Sequence, residues 1–232
     1  MNTISKNKYL IRACPNPDCN FRFPAPDQSG IGVQCPKCKS LTLIKHEFNL
    51  NQEAISQISE VHSNPKANFE VILDNIRSTF NVGAMFRTSD GAGVRKIHLC
   101  GITALPQHKK IHKTALGAET SVPFEYHLNG IVAVNQLKEQ GFRIWALEKT
   151  SISRPLEEFH FREDIGPVAM VVGNEVIGVD PDILKLCDDH IHIPMSGVKG
   201  SLNVAIAFGI AVYQLLGFQD STGNGKISGN LY

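Results

Sequence analysis

Residues 192–207 combine an apolar start, a proline and a loop with two glycines, followed by a run of small apolar residues. Gly197 and Gly200 allow the backbone of this loop to approach a ligand closely. Ser201 is a natural N-cap for the helix that the apolar run predicts. Because backbone N–H groups at a helix N-terminus attract polar or anionic groups, the segment predicts either a ligand site or an ordinary strand–loop–helix connection.

Two pairs of cysteines near the start of the sequence have the spacing of a metal site. Cys14 and Cys19 form a C-x4-C pair, Cys35 and Cys38 form a C-x2-C pair, and 15 residues separate the pairs. Zn²⁺ prefers four thiolates at the corners of a tetrahedron, and a segment of about 40 residues buries too little core to fold without such support. The alternatives are two disulfides, or a redox C-x2-C motif without its βαβ context. We predict structural zinc in a segment that resembles a zinc ribbon.

A further group of polar residues follows an apolar stretch at residues 69–73, which predicts a short strand. The pattern becomes helical after Asn81, and Gly91 and Gly93 are expected to end the helix. Arg87 lies on this predicted helix. Polar groups after a sheet strand are where α/β folds place function, although an ordinary surface arginine is the alternative for Arg87.

The rest of the sequence alternates predicted strands with predicted helices. Strands are expected at 96–100, 122–126, 142–147, 168–172 and 190–193, and helices at 131–140, from 181 and at 202–216. The uniformly apolar stretch at 168–172 is typical of a central parallel strand. This alternation indicates an α/β body built on a parallel sheet. The helix at 202–216 is too apolar for a solvated surface helix, so we expect it to pack against a second subunit.

Length and composition limit the number of domains and the class of protein. The 232 residues are 42% hydrophobic and 19% charged, which suits one full domain plus a small appendage. We expect a zinc-ribbon-like module at 1–50, a partly helical linker at 51–67, an α/β domain at 68–218 and a tail at 219–232. No apolar run is long enough to span a bilayer and no secretory signal is apparent, so a cytoplasmic protein without a membrane partner is expected.

The distribution of charge and the absence of several motifs limit the classes of function that the sequence supports. Residues 1–50 hold seven Lys and Arg against three Asp and Glu, so a basic module precedes a mildly acidic body. This distribution permits a nucleic-acid partner. The glycine-rich dinucleotide motif, the phosphate-binding loop and the G-x-S-x-G nucleophile elbow are all absent from the sequence.

Three segments, each near the end of a predicted strand, carry a resemblance to a known family. They are residues 75–87 with Asn75, Asn81, Gly83 and Arg87; residues 172–175, Val172-Gly173-Asn174-Glu175; and residues 193–204 with Ile193, Pro194, Met195, Gly197, Ser201, Leu202, Asn203 and Val204. In this order they resemble the three motifs of the SpoU (TrmH) family of RNA 2′-O-ribose methyltransferases. Residues 113–119 resemble the family's intermediate loop. Ala205 departs from the pattern, since many relatives have serine there.

The resemblance implies a fold, a cofactor and an assembly. The fold would be of the SPOUT type, a parallel α/β sheet whose C-terminal segment forms a trefoil knot. Relatives are homodimers with the active site at the interface between subunits. S-adenosylmethionine would be bound in the knot, mainly by backbone groups. The corresponding residues here are Val172, Gly173, Ile193, Pro194, Met195, Ser201 and Leu202.

The resemblance also implies a set of catalytic residues for methylation of a ribose 2′-hydroxyl. They are Arg87, Asn81, Glu175, Ser201 and Asn203. A guanidinium keeps its proton at any physiological pH, so we expect Arg87 to clamp an RNA phosphate and stabilise the developing alkoxide rather than act as a base. Glu175 is expected to hold either Arg87 or a neighbouring amide, and a structural cap is the alternative.

The expected substrate is transfer RNA or ribosomal RNA, and two alternative functions remain. The cysteine segment would bind RNA through basic side chains, with two aromatic rings that either stack on bases or fill its core. These residues are Arg12, Arg22, Lys37, Lys39 and Lys45, with Phe21 and Phe23. The alternatives are an RNA-binding SPOUT protein without catalysis and a SPOUT enzyme that methylates a base. Asn81, Arg87 and Asn203 argue against the first, and the Ser201-Leu202-Asn203 signature favours ribose.

Overall fold

The computed structural model describes residues 8–49 and 68–217, and the chain separates into two compact units, residues 1–65 and 66–232. The linker expected at 51–67 and the tail expected at 219–232 lie outside the described residues. Within the described ranges, no helix is long and apolar enough to cross a membrane.

The first unit is a three-stranded antiparallel sheet. Its strands are β1 (Lys8–Ala13), β2 (Arg22–Pro26) and β3 (Leu43–Asn49), in the order β2-β1-β3. The rings of Phe21 and Phe23 stack with their centroids 5.4 Å apart, and both side chains are half-buried. Arg12 is buried and donates a hydrogen bond to Thr42, so the prediction that it grips RNA phosphates is wrong. The other four predicted basic residues are exposed.

The second unit is an α/β fold with a parallel sheet, as the alternation of strands and helices predicts. The strands are β4 (Phe69–Asp74), β5 (Lys96–Cys100), β6 (Phe124–His127), β7 (Arg143–Leu147), β8 (Arg154–Pro155), β9 (Val168–Val172) and β10 (Asp189–His192). The helices are α1 (Thr79–Ala92), α2 (His112–Ala115), α3 (Ala118–Ser121), α4 (Gly130–Glu139), α5 (Pro181–Leu184) and α6 (Val204–Leu216). The seven strands pair in parallel in the order β6-β5-β4-β9-β7-β10-β8.

Helices cover both faces of this sheet. Every residue of β4 and β9 is buried, which confirms that the apolar stretch at 168–172 is a central strand. One core packs Phe86 of α1 and Phe208 of α6 against a face of the sheet, and the other packs Leu137 of α4 and Ile183 of α5 against the opposite face. This arrangement puts the loops after β4, β9 and β10 at one edge of the sheet, where the carboxyl ends of parallel strands meet.

Two helix boundaries differ from the sequence expectation. Helix α1 begins at Thr79, three residues before the predicted start, because the side chain of Ser78 accepts a hydrogen bond from the backbone amide of Asn81 and caps the helix. Gly91 lies inside the helix, and Gly93 ends it at a φ of 74°. Helix α6 is capped by Asn203, whose side chain accepts from the amides of Ala205 and Ile206, so Ser201 is not its N-cap.

Candidate active site

A cavity of about 370 Å³ opens at the carboxyl ends of β7, β9 and β10. Its lining includes six of the seven residues expected to bind cofactor: Val172, Gly173, Ile193, Met195, Ser201 and Leu202. Pro194 is not among the lining residues. The motif segments 172–175 and 193–204 are far apart in sequence. The sheet brings them together because the strands that precede them, β9 and β10, both pair with β7. The cavity has the size of a small-molecule site, between about 300 and 1,000 Å³.

One wall of this cavity is a tight loop that requires a glycine. The amides of Asn174 and Gly178 each donate to the carbonyl of the other, at 3.0 and 2.9 Å, and close the loop on itself. A Cβ atom at Gly173 would lie 2.3 Å from the backbone of Gly178 and Val179, a distance at which backbone must move. Gly173 therefore allows the end of β9 to lie directly against the chain that follows it.

Glu175, at the rim of the cavity, binds the N-terminus of helix α1. Its carboxylate accepts hydrogen bonds from the amides of Arg77 and Ser78, at 2.8 and 3.0 Å. Burial opposes the charged form, but these two hydrogen bonds and one from Asn81 outweigh it and lower the pKa of Glu175 below its ordinary value. The carboxylate thus supplies the negative charge that a helix N-terminus favours, and α1 itself has no acidic residue in its first turn.

Two asparagine side chains extend this contact across the site. The side-chain nitrogen of Asn81 donates to Glu175 at 3.0 Å. The side-chain oxygen of Asn81 accepts from the side-chain nitrogen of Asn203 at 3.3 Å. The same Asn203 caps α6 through its own side-chain oxygen. Three of the five predicted catalytic residues therefore form one hydrogen-bonded chain that joins the starts of α1 and α6.

The other two predicted catalytic residues stand apart from this chain of hydrogen bonds. Ser201 is exposed and lines the cavity. Arg87 is exposed on α1, six residues beyond Asn81, which places its backbone about 9 Å farther along the helix axis. Within the described parts of the chain it makes no hydrogen bond or ion pair. Glu175 accepts hydrogen bonds from amides near the start of α1. Of the two partners expected for it, the neighbouring amide is the one observed, and the expectation that it holds Arg87 is wrong.

Residues 113–119, which resemble the family's intermediate loop, pack against helix α1. The hydroxyl of Thr114 donates to the carbonyl of Phe80 at 3.1 Å. A Cβ atom at Gly83 would lie 2.2 Å from that hydroxyl oxygen and 2.6 Å from the carbonyl oxygen of Ile111. The glycine of the first motif therefore has a structural purpose, because it lets α1 and α2 touch.

The four cysteines of the first unit converge as their spacing predicts. Their sulfur atoms lie within 4.8 Å of one another, with Cys14 and Cys38 at 3.3 Å and Cys19 and Cys35 at 3.7 Å. All four are free thiols, which excludes the disulfide alternative in this structure. Sulfur atoms at the corners of a tetrahedral zinc site lie about 3.8 Å apart, so the cluster could hold a metal ion with small adjustments.

Comparison with known proteins decides the family. The model of the SpoU rRNA methylase family matches residues 68–213, which is more than half of the sequence. The chain belongs to the SpoU rRNA methylase family. The match begins after the cysteine module, which lies outside it.

Two curated RNA methyltransferases resemble this chain at about 30% identity. The tRNA (guanosine(18)-2′-O)-methyltransferase of Aquifex aeolicus is 31% identical over 169 residues, covering 72% of this chain and 78% of that enzyme. The 23S rRNA (guanosine-2′-O-)-methyltransferase RlmB of Vibrio parahaemolyticus is 32% identical over 171 residues, covering 74% of this chain and 66% of that enzyme, slightly under two thirds of its length.

A solved SpoU structure has the same fold. The crystal structure of the A. aeolicus TrmH/SpoU tRNA modifying enzyme superposes with a TM-score of 0.61 at 29% identity, covering 71% of this chain and 82% of that one. The parallel seven-stranded sheet described above is therefore a SpoU-family fold.

Asn174 links two loops of this SpoU domain, a role that no local sequence pattern predicts. Its side-chain nitrogen donates to the carbonyl of Asn75 at 2.7 Å, and its side-chain oxygen accepts from the amide of Val176 at 2.9 Å. The residue thus ties the loop after β9 to the loop after β4. An asparagine between a strand-ending glycine and a glutamate is a loop signal, but its distant partner has no local signature.

Proposed function

We propose that this chain transfers a methyl group from S-adenosylmethionine to a ribose 2′-hydroxyl of transfer RNA or ribosomal RNA. The observation that carries the proposal is the hydrogen-bonded chain of Glu175, Asn81 and Asn203 beside the cavity. Family membership supplies the reaction class, and this chain of hydrogen bonds supplies a fixed polar surface for a ribose at the mouth of the cavity.

The residues present fit the cofactor. When bound, S-adenosylmethionine supplies the electrophilic methyl group that becomes bonded to the ribose oxygen. Gly173 itself contributes no side chain to the wall, which suits a site that holds its ligand through main-chain groups. Val172, Gly173, Ile193, Met195, Ser201 and Leu202 would hold the cofactor, with Pro194 shaping the loop. We propose that residues 193–203 form the trefoil knot that the family resemblance implies.

Arg87 is the proposed phosphate clamp. Its guanidinium is exposed and has no partner in the described residues, so its donors are available to an incoming RNA phosphate. A bidentate contact would fix the phosphate and stabilise negative charge on the ribose oxygen as its proton leaves to a phosphate oxygen or to water. Asn81, Ser201 and Asn203 would orient the ribose, and Glu175 would hold Asn81 in position.

We infer that two copies of the chain assemble through helix α6. Phe208, Ala211, Val212 and Leu215 bury one face of this helix in the domain. The opposite face leaves Ile206, Ile210 and Tyr213 exposed at helical spacing, next to Leu202. An exposed apolar stripe beside the proposed site is suited to a second copy, and the active site would then lie where the two copies meet.

Zinc in the cysteine cluster is the proposed stabiliser of the first unit. The four sulfur atoms lie within 4.8 Å of one another, which suits a single ion bound by thiolates. The exposed side chains of Arg22, Lys37, Lys39 and Lys45 would then bind RNA phosphates. The ammonium of Lys37 lies 4.9 Å from the centroid of Phe21, so a base stacking there would meet a cation as well.

Methyl transfer with labelled S-adenosylmethionine tests the proposed function. The purified chain is incubated separately with transfer RNA and ribosomal RNA, and the products are digested to nucleosides and separated by chromatography. We expect label in a 2′-O-methylnucleoside from one of the two RNA classes. Label in a methylated base would favour the base methyltransferase, and RNA binding without transfer would favour the inactive RNA-binding protein.

A further inference from the structure

We propose that the catalytic unit has a divalent-metal site of the zinc type, formed by His98, His127 and Glu125 and separate from both the cysteine cluster and the cofactor cavity. The ligand atoms of the three side chains lie within 4.8 Å of one another. They line a second cavity of about 380 Å³ between the sheet and helix α4, which shares no lining residue with the cavity at the carboxyl ends of the strands.

Strand register brings the three ligands together. His98 of β5 pairs directly with Glu125 of β6, and His127 follows Glu125 by two residues. Because side chains alternate along a strand, all three project from the same face of two neighbouring strands. Zinc sites with two histidines and one carboxylate use this donor set and leave a fourth position open, here toward the cavity.

A buried carboxylate fixes the orientation of His98. The side chain of Glu70 is 5% exposed and its oxygen lies 2.7 Å from Nε2 of His98. The same carboxylate also accepts a hydrogen bond from Nε of Arg95 at 2.8 Å. A charged Glu70 keeps the proton of His98 on Nε2 and leaves Nδ1 as an acceptor. Carboxylate, imidazole and metal form this series in many zinc proteins.

The second histidine faces the same point. Nε2 of His127 lies 2.9 Å from Nδ1 of His98, where nitrogens sharing a tetrahedral zinc would lie about 3.3 Å apart. On metal binding the proton of the His127 ring would leave Nε2 to water and return to Nδ1, so no net proton is released.

Glu125 can reach the metal without leaving its present partner. One carboxylate oxygen accepts from Lys96 at 2.5 Å, and the other lies 3.9 Å from Nε2 of His127. The first oxygen can stay on Lys96 while the second coordinates the ion. Among the described strands β6 is at the edge of the sheet and pairs with β5, so a metal here would join this edge to the strand beside it.

Calorimetric titration of zinc into tag-free protein that already holds one zinc per chain tests the proposal. We expect a further event with one zinc per chain. Its dissociation constant should rise at least tenfold in His127→Gln and in Glu125→Gln, and between about 10- and 100-fold in Glu70→Gln, which removes a carboxylate outside the coordination shell.

Control variants distinguish this site from general zinc binding by surface groups. His160 and Glu139 are exposed, and neither contributes to the cluster, so His160→Gln and Glu139→Gln should bind zinc as the wild type does. Glu125 is half-exposed, so Glu125→Gln should keep the fold, which circular dichroism verifies. Absence of a further event up to millimolar zinc would overturn the proposal, as would an event that persists unchanged in both His127→Gln and Glu125→Gln.

Discussion

Arg87 is the residue on which the proposed reaction depends most. We expect Arg87→Ala to reduce the rate of methyl transfer about a thousandfold, or about 4 kcal/mol of transition-state stabilisation, because the phosphate contact and the positive charge are both lost. Affinity for S-adenosylmethionine should hardly change, since Arg87 does not line the cavity. Arg87→Lys should restore little activity, because an ammonium does not reproduce a planar two-point contact.

Single-turnover kinetics at saturating cofactor measures these rates. Arg143 is an exposed arginine at the opposite, amino end of a strand, so Arg143→Ala is the matched control and should react normally. A wild-type rate in Arg87→Ala would remove the phosphate-clamp role.

A second prediction at the scale of residues concerns Glu70 and the dependence of the free energy of unfolding on pH. Its pKa is lowered from 4.5 in the folded chain, so its contribution to stability is present above that value and is lost as the pH falls through the folded pKa. Glu70→Gln should lower the free energy of unfolding by about 2 kcal/mol at pH 7, since hydrogen bonds to the buried charge are lost. Urea unfolding should show this difference shrinking below pH 4.5. A difference that does not change with pH would contradict a charged Glu70.

The loop after strand β9 provides a prediction at the scale of elements. Gly173→Ala places a Cβ atom 2.3 Å from the backbone at Gly178, so the loop must move. We expect a loss of about 1–3 kcal/mol in the free energy of unfolding and a marked loss of affinity for S-adenosylmethionine. Gly197 has open space around it and serves as the control, since Gly197→Ala should leave stability unchanged. Urea unfolding and calorimetry give the two quantities, and an unaffected Gly173→Ala would show that the wall is not rigid.

Elements with a local signature could be predicted from the sequence, whereas their caps and cross-links could not. The apolar composition of residues 69–74 and 168–172 is enough to predict these two strands. Ser201 and Asn203 are both good N-caps two residues apart, and only the path of the folded chain selects Asn203. Glu175 stabilises the start of α1 from nearly one hundred residues away, and no local pattern reports a contact of that kind.

Buried polar clusters are also hidden from the sequence. Glu70, His98 and His127 lie in separate strands, and each alone looks like an ordinary polar residue of a strand. Their proximity depends on the pairing of β4 with β5 and of β5 with β6, which is a property of the sheet. The cysteine pairs behave differently, because their short spacings already impose two chelating turns.

At the scale of the whole molecule, the two units should respond independently to loss of metal. We expect one zinc per chain in the cysteine cluster of reduced protein, in addition to any zinc at the histidines. Cys19→Ser should release it and unfold residues 8–49, because a small antiparallel sheet has little apolar core of its own. The separate hydrophobic cores of residues 68–217 should leave that unit folded. Metal analysis and amide hydrogen exchange measure both effects, and full protection of the first unit in Cys19→Ser would contradict a zinc-dependent fold.

Assembly provides the last prediction. Ile206 and Ile210 lie one turn apart on the exposed face of α6, where a second copy is proposed to pack. Replacing both with aspartate puts two charges into an apolar contact, so the double variant should be a monomer by light scattering at micromolar concentration. Its fold should persist, since the buried face of α6 is untouched, and its methyl transfer should fall sharply because the site lies where the copies meet. Val132 is an equally exposed apolar residue on α4, and Val132→Asp should stay dimeric and active. A wild-type chain that is monomeric and fully active would contradict the assembly.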